Sequence, residues 1–218
     1  MTPPNLANLQ ANPAGLLQWL DGNLLLAGVI TNVPNPGLAW VTLTLQPQVP
    51  FAQIAVNAAG RPMDIYTLRT NGAGGHNALR GYVCNYTAGG VHPVDLTPAG
   101  PFCFTITLNG CTFGVGPTVG AGGGSRRVSH ANSGGNTQPQ RTQTWGAHGV
   151  AANSVAIKML EPAEYRRLGG GGNLNTTVFG ILSAGIWRFY FQLYSAIPGA
   201  NNNARNYQVH GVFPILGT

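Results

Sequence analysis

Three stretches alternate apolar and polar side chains with a period of two: Ala39–Leu45, Cys103–Leu108 and Ile186–Tyr194. Successive residues of a strand point to opposite faces, so such runs read as strands with one buried face rather than as helices. In the last run Trp187, Phe189, Phe191 and Leu193 form the core face of a central strand. The runs are short and are broken by Gly (32) and Pro (16), which suits many turns better than long helices. Hydrophobic residues make up 44% of the chain, enough for a real core. The expected fold class is α+β, mostly β, with two packed mixed sheets in a sandwich-like arrangement and a few short flanking helices. No internal repeat or shift of composition divides the chain, so residues 1–218 are expected to form one domain, with 1–11 as a loose leader.

Asn12 and Pro13 open an expected short helix that reaches Leu20 and stops at Gly22. Leu24–Ile30 and Gln53–Val56 read as short apolar runs, and further strands or extended segments are expected over Ile65–Leu68, Gly81–Tyr86, Thr112–Val115, Arg126–His130 and Ser154–Met159. Asn71–Gly75 reads as a loop, residues 131–144 as a polar surface loop, and Glu161–Leu168 as one or two helical turns. Val178–Leu182 and Ile186–Ser195 read as a hairpin around Ala184-Gly185, and Asn206–Val212 as the closing strand.

Charge narrows the function. Only 7% of residues are charged, against roughly 25% in an average globular chain. The net charge is +6, with one lysine, Lys158, and scattered arginines; this points to ordinary solubility and not to a nucleic-acid surface. Three cysteines (Cys84, Cys103 and Cys111) are too few for a disulfide framework and fit a reducing compartment. No signal-peptide pattern is visible, and no apolar run reaches the roughly 18 residues of a membrane span. The histidines (His76, His92, His130, His148 and His210) lack metal-ligand spacing. Gly120–Ser125 lacks the Gly-Lys-Ser/Thr end of a phosphate loop. No metal and no cofactor are expected.

The chemistry-bearing stretch is Cys103–Phe113. A strand runs into an Asn109-Gly110 step, and Cys111 stands directly beyond it. A thiol just after a tight turn is lifted out of a sheet rather than sunk into it. Nineteen residues later, past six glycines, comes His130. If the intervening segment is a hairpin, thiol and imidazole become neighbours, and the imidazole can take the thiol proton and return it to a leaving amine. On spacing alone a buried structural cysteine and an unrelated histidine is the commoner outcome, because cysteine is among the most buried residues. Thr105, six residues upstream, shares a face with Cys111 if the strand is unbroken. Asp95, Asn132 and Asn136 are the nearest groups that could orient a histidine, with Asp95 better read as a solvated turn acid. Cys103 reads as structural. His130 is preferred to His148 by its strand context.

The run Phe104-Thr105-Ile106-Thr107-Leu108-Asn109-Gly110-Cys111, followed by Val128-Ser129-His130, resembles the catalytic core of the cytotoxic necrotizing factor-like glutamine deamidases, closest to the Burkholderia lethal factor branch. That branch carries Phe-Thr-x-x-Leu-Ser-Gly-Cys with a histidine on the following strand; Asn109 replaces the serine here. The resemblance implies Cys111 as nucleophile, His130 as general base and acid, and Thr105 as an assisting residue. It also implies a histidine oriented by a backbone carbonyl, so that no third acid is required.

The expected function is therefore that of a bacterial toxin or effector, secreted or delivered into the host-cell cytosol. There it would deamidate a specific glutamine of a host protein through a Cys-His thioester. The expected partner is that host protein, with no nucleic acid and no membrane, and the chain acting as a monomer. Two alternatives stay open: a cysteine protease or transglutaminase using the same pair, and a non-enzymatic β-sandwich coat or binding module.

Overall fold

The structure is a computed structural model, and it describes residues 6–28, 37–46, 54–71, 78–117, 125–169, 173–198 and 205–218. In chain order the elements are α1 (Leu6–Ala11), α2 (Gly15–Asp21), β1 (Asn23–Leu26), β2 (Leu38–Leu45), β3 (Ala55–Asn57), β4 (Pro62–Asn71), β5 (Leu79–Cys84), β6 (Val91–Leu96), β7 (Phe102–Thr105), β8 (Thr112–Pro117), β9 (Arg126–Ala131), α3 (Thr137–Ala147), β10 (Lys158–Leu160), α4 (Pro162–Leu168), β11 (Leu174–Ser183), β12 (Ile186–Pro198) and β13 (Arg205–Pro214).

The chain is mostly β, with two sheets and short helices, as its alternation implies. The larger sheet is not one leaf of a sandwich. Its strands run β1-β4-β2-β5-β7-β11-β12-β13-β3, and β3 pairs again with β4. That second pairing closes eight strands into a barrel and leaves β1 beside β4. The long antiparallel pair of β12 and β13 shifts register between Leu193 and Tyr194, where the partner passes from Gly211 to Val209. An extra residue of this kind bends and twists a strand, which helps a sheet to curl onto itself.

The smaller sheet has four strands in the order β10-β8-β9-β6. It packs on the barrel wall. Tyr82, Cys84 and Cys103 from the wall meet Phe113, Val115, Val128 and Val94 from the small sheet in one apolar cluster. A second cluster gathers Leu16 and Leu20 of α2 with Val41, Val83, Phe102, Phe104 and Phe179. Phe102 and Phe104 thus face away from the small sheet while Cys103 faces it, which is the alternation that the sequence shows.

The structure departs from the sequence reading in several places. Part of the expected leader is helix α1, with Leu6 and Leu9 buried. The next helix starts at Gly15, after Ala14, and Asn12 does not cap it. The strand expected over Cys103–Leu108 ends at Thr105. Leu108 leaves the face of Phe104, bridges Thr176 and joins the inter-sheet cluster. The strand expected over Ser154–Met159 shrinks to β10, with Val155 exposed. The expected loop 131–144 contains α3, a helix that buries Gln140, Thr144 and Trp145. Most of the expected Asn71–Gly75 loop lies outside the described residues, as does His76.

Candidate active site

β8 and β9 form an antiparallel hairpin in which Thr112 pairs with Ala131, Phe113 with His130 and Val115 with Val128. Phe113, Val115 and Val128 face the barrel, so His130, opposite Phe113, faces it too. Cys111 precedes Thr112 and belongs to the same inter-sheet cluster. It is diagonal to His130 across the hairpin, a relation that puts residues about 7–8 Å apart, within reach of a ring and a thiol. The two do not hydrogen-bond to each other.

Local geometry follows from Gly110. Its φ of +84° is in the left-handed region, where a Cβ is disfavoured. This step turns the chain from the Leu108 bridge into β8 and leaves Cys111 at the mouth of the hairpin. Cys111 is 7% exposed. Burial pushes its thiol up from the ordinary cysteine range, and the Asn109 backbone partly opposes that. At rest the sulfur is a thiol, not a thiolate.

His130 is wholly buried, and neither ring nitrogen has a hydrogen-bond partner among the described residues. Burial, reinforced by neighbouring His92, lowers its pKa to about 4; the Cys84 backbone pulls the other way without closing a hydrogen bond of good geometry. The ring is therefore neutral near pH 7. Tyr86 covers it, ring to ring at 5.8 Å.

Thr105 lies on β7 beside Cys84 of β5, in parallel register. By alternation with Cys103 it faces the small sheet, and its hydroxyl accepts the Val178 N–H at 3.3 Å. Thr105, Cys84, His130 and Cys111 thus border one inter-sheet space, although the strand does not run unbroken from Thr105 to Cys111. Cys84 donates its thiol hydrogen to the His92 carbonyl at 3.4 Å. Cys84 and Cys103 are free, fully buried and pushed far up by burial, and so unreactive.

Asp95 is a strand residue, not a solvated turn acid. It pairs bidentately with Arg127 at 2.6 and 2.7 Å on the face turned toward α3. His148, at the end of α3, lies on that far face as well, with Nε2 3.1 Å from the Ser129 hydroxyl. Neither is positioned to act on His130 or Cys111. Asn136 caps α3 without a side-chain bond.

Beside the turn opens a cleft of about 610 Å³, walled in part by Tyr86, Thr107, Asn109, Asn175 and Tyr194. Neither Cys111 nor His130 lines the cleft itself; it reaches Tyr86, whose ring lies over His130, and Asn109, two residues before Cys111. A separate cavity of about 350 Å³ between α4 and the end of β13 contains none of these residues.

Residues that the sequence reading passed over hold the turn itself. Gln140 and Tyr165 both bond to residues 110–112. Gln140 sits in the segment read as a loop. Asn136, Pro139 in the first turn and Gly149 just past the end are start and stop signals that could have marked α3.

No protein-family profile matches the chain, and no curated protein matches it. Among solved structures, the C-terminal domain of CNFy from Yersinia pseudotuberculosis is similar over 96% of this chain and 96% of that one, at 10% identity and a TM-score of 0.42.

Proposed function

We propose that this chain is a cysteine-dependent glutamine deamidase, a bacterial toxin or effector acting on a host protein in the host cytosol, as a monomer and without metal or cofactor. The observation that carries the reading is His130: a fully buried imidazole whose two nitrogens are unpartnered among the described residues, facing the space that Cys111 borders. Native proteins rarely leave such groups unsatisfied without a use for them. The Phe-Thr-x-x-Leu-x-Gly-Cys resemblance supports the same assignment.

In this reading the glutamine carboxamide enters from the cleft beside Asn109 and Tyr86. Cys111 Sγ attacks the carboxamide carbon while His130 takes the thiol proton. The developing oxyanion is met by the Cys111 backbone N–H. His130 gives the proton to the departing nitrogen, the C–N bond breaks, and ammonia leaves a thioester. Water then attacks the thioester with His130 as base, releasing glutamate and restoring the thiol. Because both groups are neutral at rest, proton transfer accompanies attack rather than preceding it. Thr105 assists from the barrel wall through its hydroxyl.

Incubating host-cell lysate with the wild type and with Cys111→Ser tests this. Expected are ammonia release and a glutamine-to-glutamate mass gain on a specific peptide with the wild type alone. Incorporation of an added primary amine would point to transglutamination instead. Equal, unmodified lysates would favour a binding module and overturn the reading.

A further inference from the structure

The turn that carries Cys111 is held by two side chains from two different helices, through four hydrogen bonds. Gln140 of α3 donates Nε2–H to the Gly110 carbonyl at 2.7 Å and accepts the Thr112 hydroxyl at its Oε1 at 2.6 Å. Tyr165 of α4 accepts the Gly110 N–H at 2.8 Å and donates its hydroxyl hydrogen to the Cys111 carbonyl at 3.3 Å. Gln140 and Tyr165 are both wholly buried. Arg141, next to Gln140, pairs with Glu161, the residue that caps α4, so the two helices are tied to each other as well as to the turn.

Two of the four bonds, those to the Gly110 and Cys111 carbonyls, fall on the two peptide planes that flank the Cys111 Cα. Gln140 holds the Gly110–Cys111 plane through its carbonyl, and Tyr165 holds the Cys111–Thr112 plane through its carbonyl. With both planes fixed, the Cα–Cβ direction of Cys111 is fixed too. A trans peptide also places the Cys111 N–H opposite the Gly110 carbonyl. Holding that carbonyl with Gln140 therefore aims the N–H the other way, and none of the four bonds consumes it. The Thr112 hydroxyl completes the arrangement. By donating to Oε1 it sets which end of the Gln140 amide faces Gly110, so Nε2 is the end presented to the carbonyl.

We propose that Gln140 and Tyr165 are positioning residues that together orient the Cys111 thiol and aim its backbone N–H at the oxyanion. This rests on the reading of Cys111 as the nucleophile. The clamp reaches the reacting atoms only through the turn, and all four of its bonds fall on residues 110–112, none on His130.

The test uses the full chain with Tyr165→Phe, which removes one hydroxyl and keeps the ring, and Gln140→Met, which keeps the volume and removes the amide. Three quantities are read: melting temperature, kcat and KM on the deamidated host protein, and the rate of Cys111 alkylation by iodoacetamide. In folded variants kcat is expected to fall about 100-fold, the scale of a small misplacement of a reacting group, with KM little changed. Alkylation is expected to rise several-fold, because a loosened turn exposes a thiol that the clamp holds buried. Partial unfolding would also lower the apparent kcat and raise alkylation, so kcat is referred to the folded fraction read from the melting curve, and a fall that persists in a fully folded variant marks misaiming. Unchanged kcat in folded variants overturns the proposal. Should the wild type lack deamidase activity, the proposed function fails while alkylation still decides the clamp: unchanged alkylation in both variants sinks it, and a rise in both sustains the orienting role. If Gln140→Met does not fold, Tyr165→Phe alone decides by the same readings.

Discussion

Two buried histidines, His130 and His148, come from opposite faces of the same small sheet. Both are almost inaccessible, and burial lowers both to a pKa of about 4. Their surroundings differ. On the α3 face His148 has the Ser129 hydroxyl at 3.1 Å, with Arg127 and Asp95 paired nearby. That face is tightly packed: a Cβ on Gly114 would come within 2.4 Å of the Thr144 methyl and 2.8 Å of the Ser129 hydroxyl. On the barrel face His130 has no bonded partner at either nitrogen among the described residues, with Tyr86, which also lines the cleft, over the ring. Equal burial thus has two meanings. His148 keeps one bonded nitrogen and leaves Nδ1 unpartnered among the described residues, whereas both nitrogens of His130 are unpartnered there, a condition that costs stability and suits a reacting group.

The largest expected effect is on activity. His130→Gln should lower deamidation by about 100-fold to 10,000-fold, the usual worth of a positioned acid–base group, whereas His148→Gln should stay within a few-fold once corrected for folded fraction. Ammonia release measured side by side checks this, and equal losses would erase the functional difference between the two faces.

Acid should not distinguish the two faces until one histidine is removed. A histidine whose folded pKa lies below its unfolded value binds fewer protons when folded. Its contribution is complete above about pH 6.5, the unfolded value, and is lost as pH falls toward about 4. The size is on the order of 3 kcal/mol for a fully buried ring. Denaturant midpoints between pH 7 and pH 4 should fall steeply in the wild type and less steeply in His130→Leu. A slope unchanged by that substitution would mean that His130 does not titrate on unfolding.

The smallest effect concerns stability at neutral pH. His148→Leu strands the Ser129 hydroxyl in a buried site and should cost about 1–3 kcal/mol. His130→Leu removes two unpartnered nitrogens and strands nothing, so it should be neutral or stabilising. Melting curves that rank the two variants the other way would show that His130 makes a bond essential to the fold.

Much of this architecture is legible locally. The β8–β9 and β11–β12 hairpins follow from strand runs joined by glycine-bearing segments, and Ala184 and Gly185 both take positive φ, +50° and +76°, as a tight hairpin turn between twisted strands requires. The α4 helix announces itself through Glu161-Pro162 and Glu164, which form a capping box. Helix α3 was harder to see because Thr137–Ala147 has almost no apolar stripe. Its buried positions include Gln140 and Thr144, whose polar groups are matched by the Cys111 turn and by the helix backbone. A periodicity rule built on hydrophobic faces cannot find a helix that buries amides.

The sequence by itself determined the mostly β class, several of the strands, the tight Asn109-Gly110 step and the thiol that follows it, because period-two alternation and turn preference act over a few residues. Tertiary structure alone decided that the large sheet closes through β3 and β4, that Asp95 and His148 lie on the far face from Cys111, and that Gln140 and Tyr165 grip the turn. Those outcomes depend on strand register and on which surfaces meet across the core, and a slip of one residue in β9 would turn His130 to the face on which His148 lies.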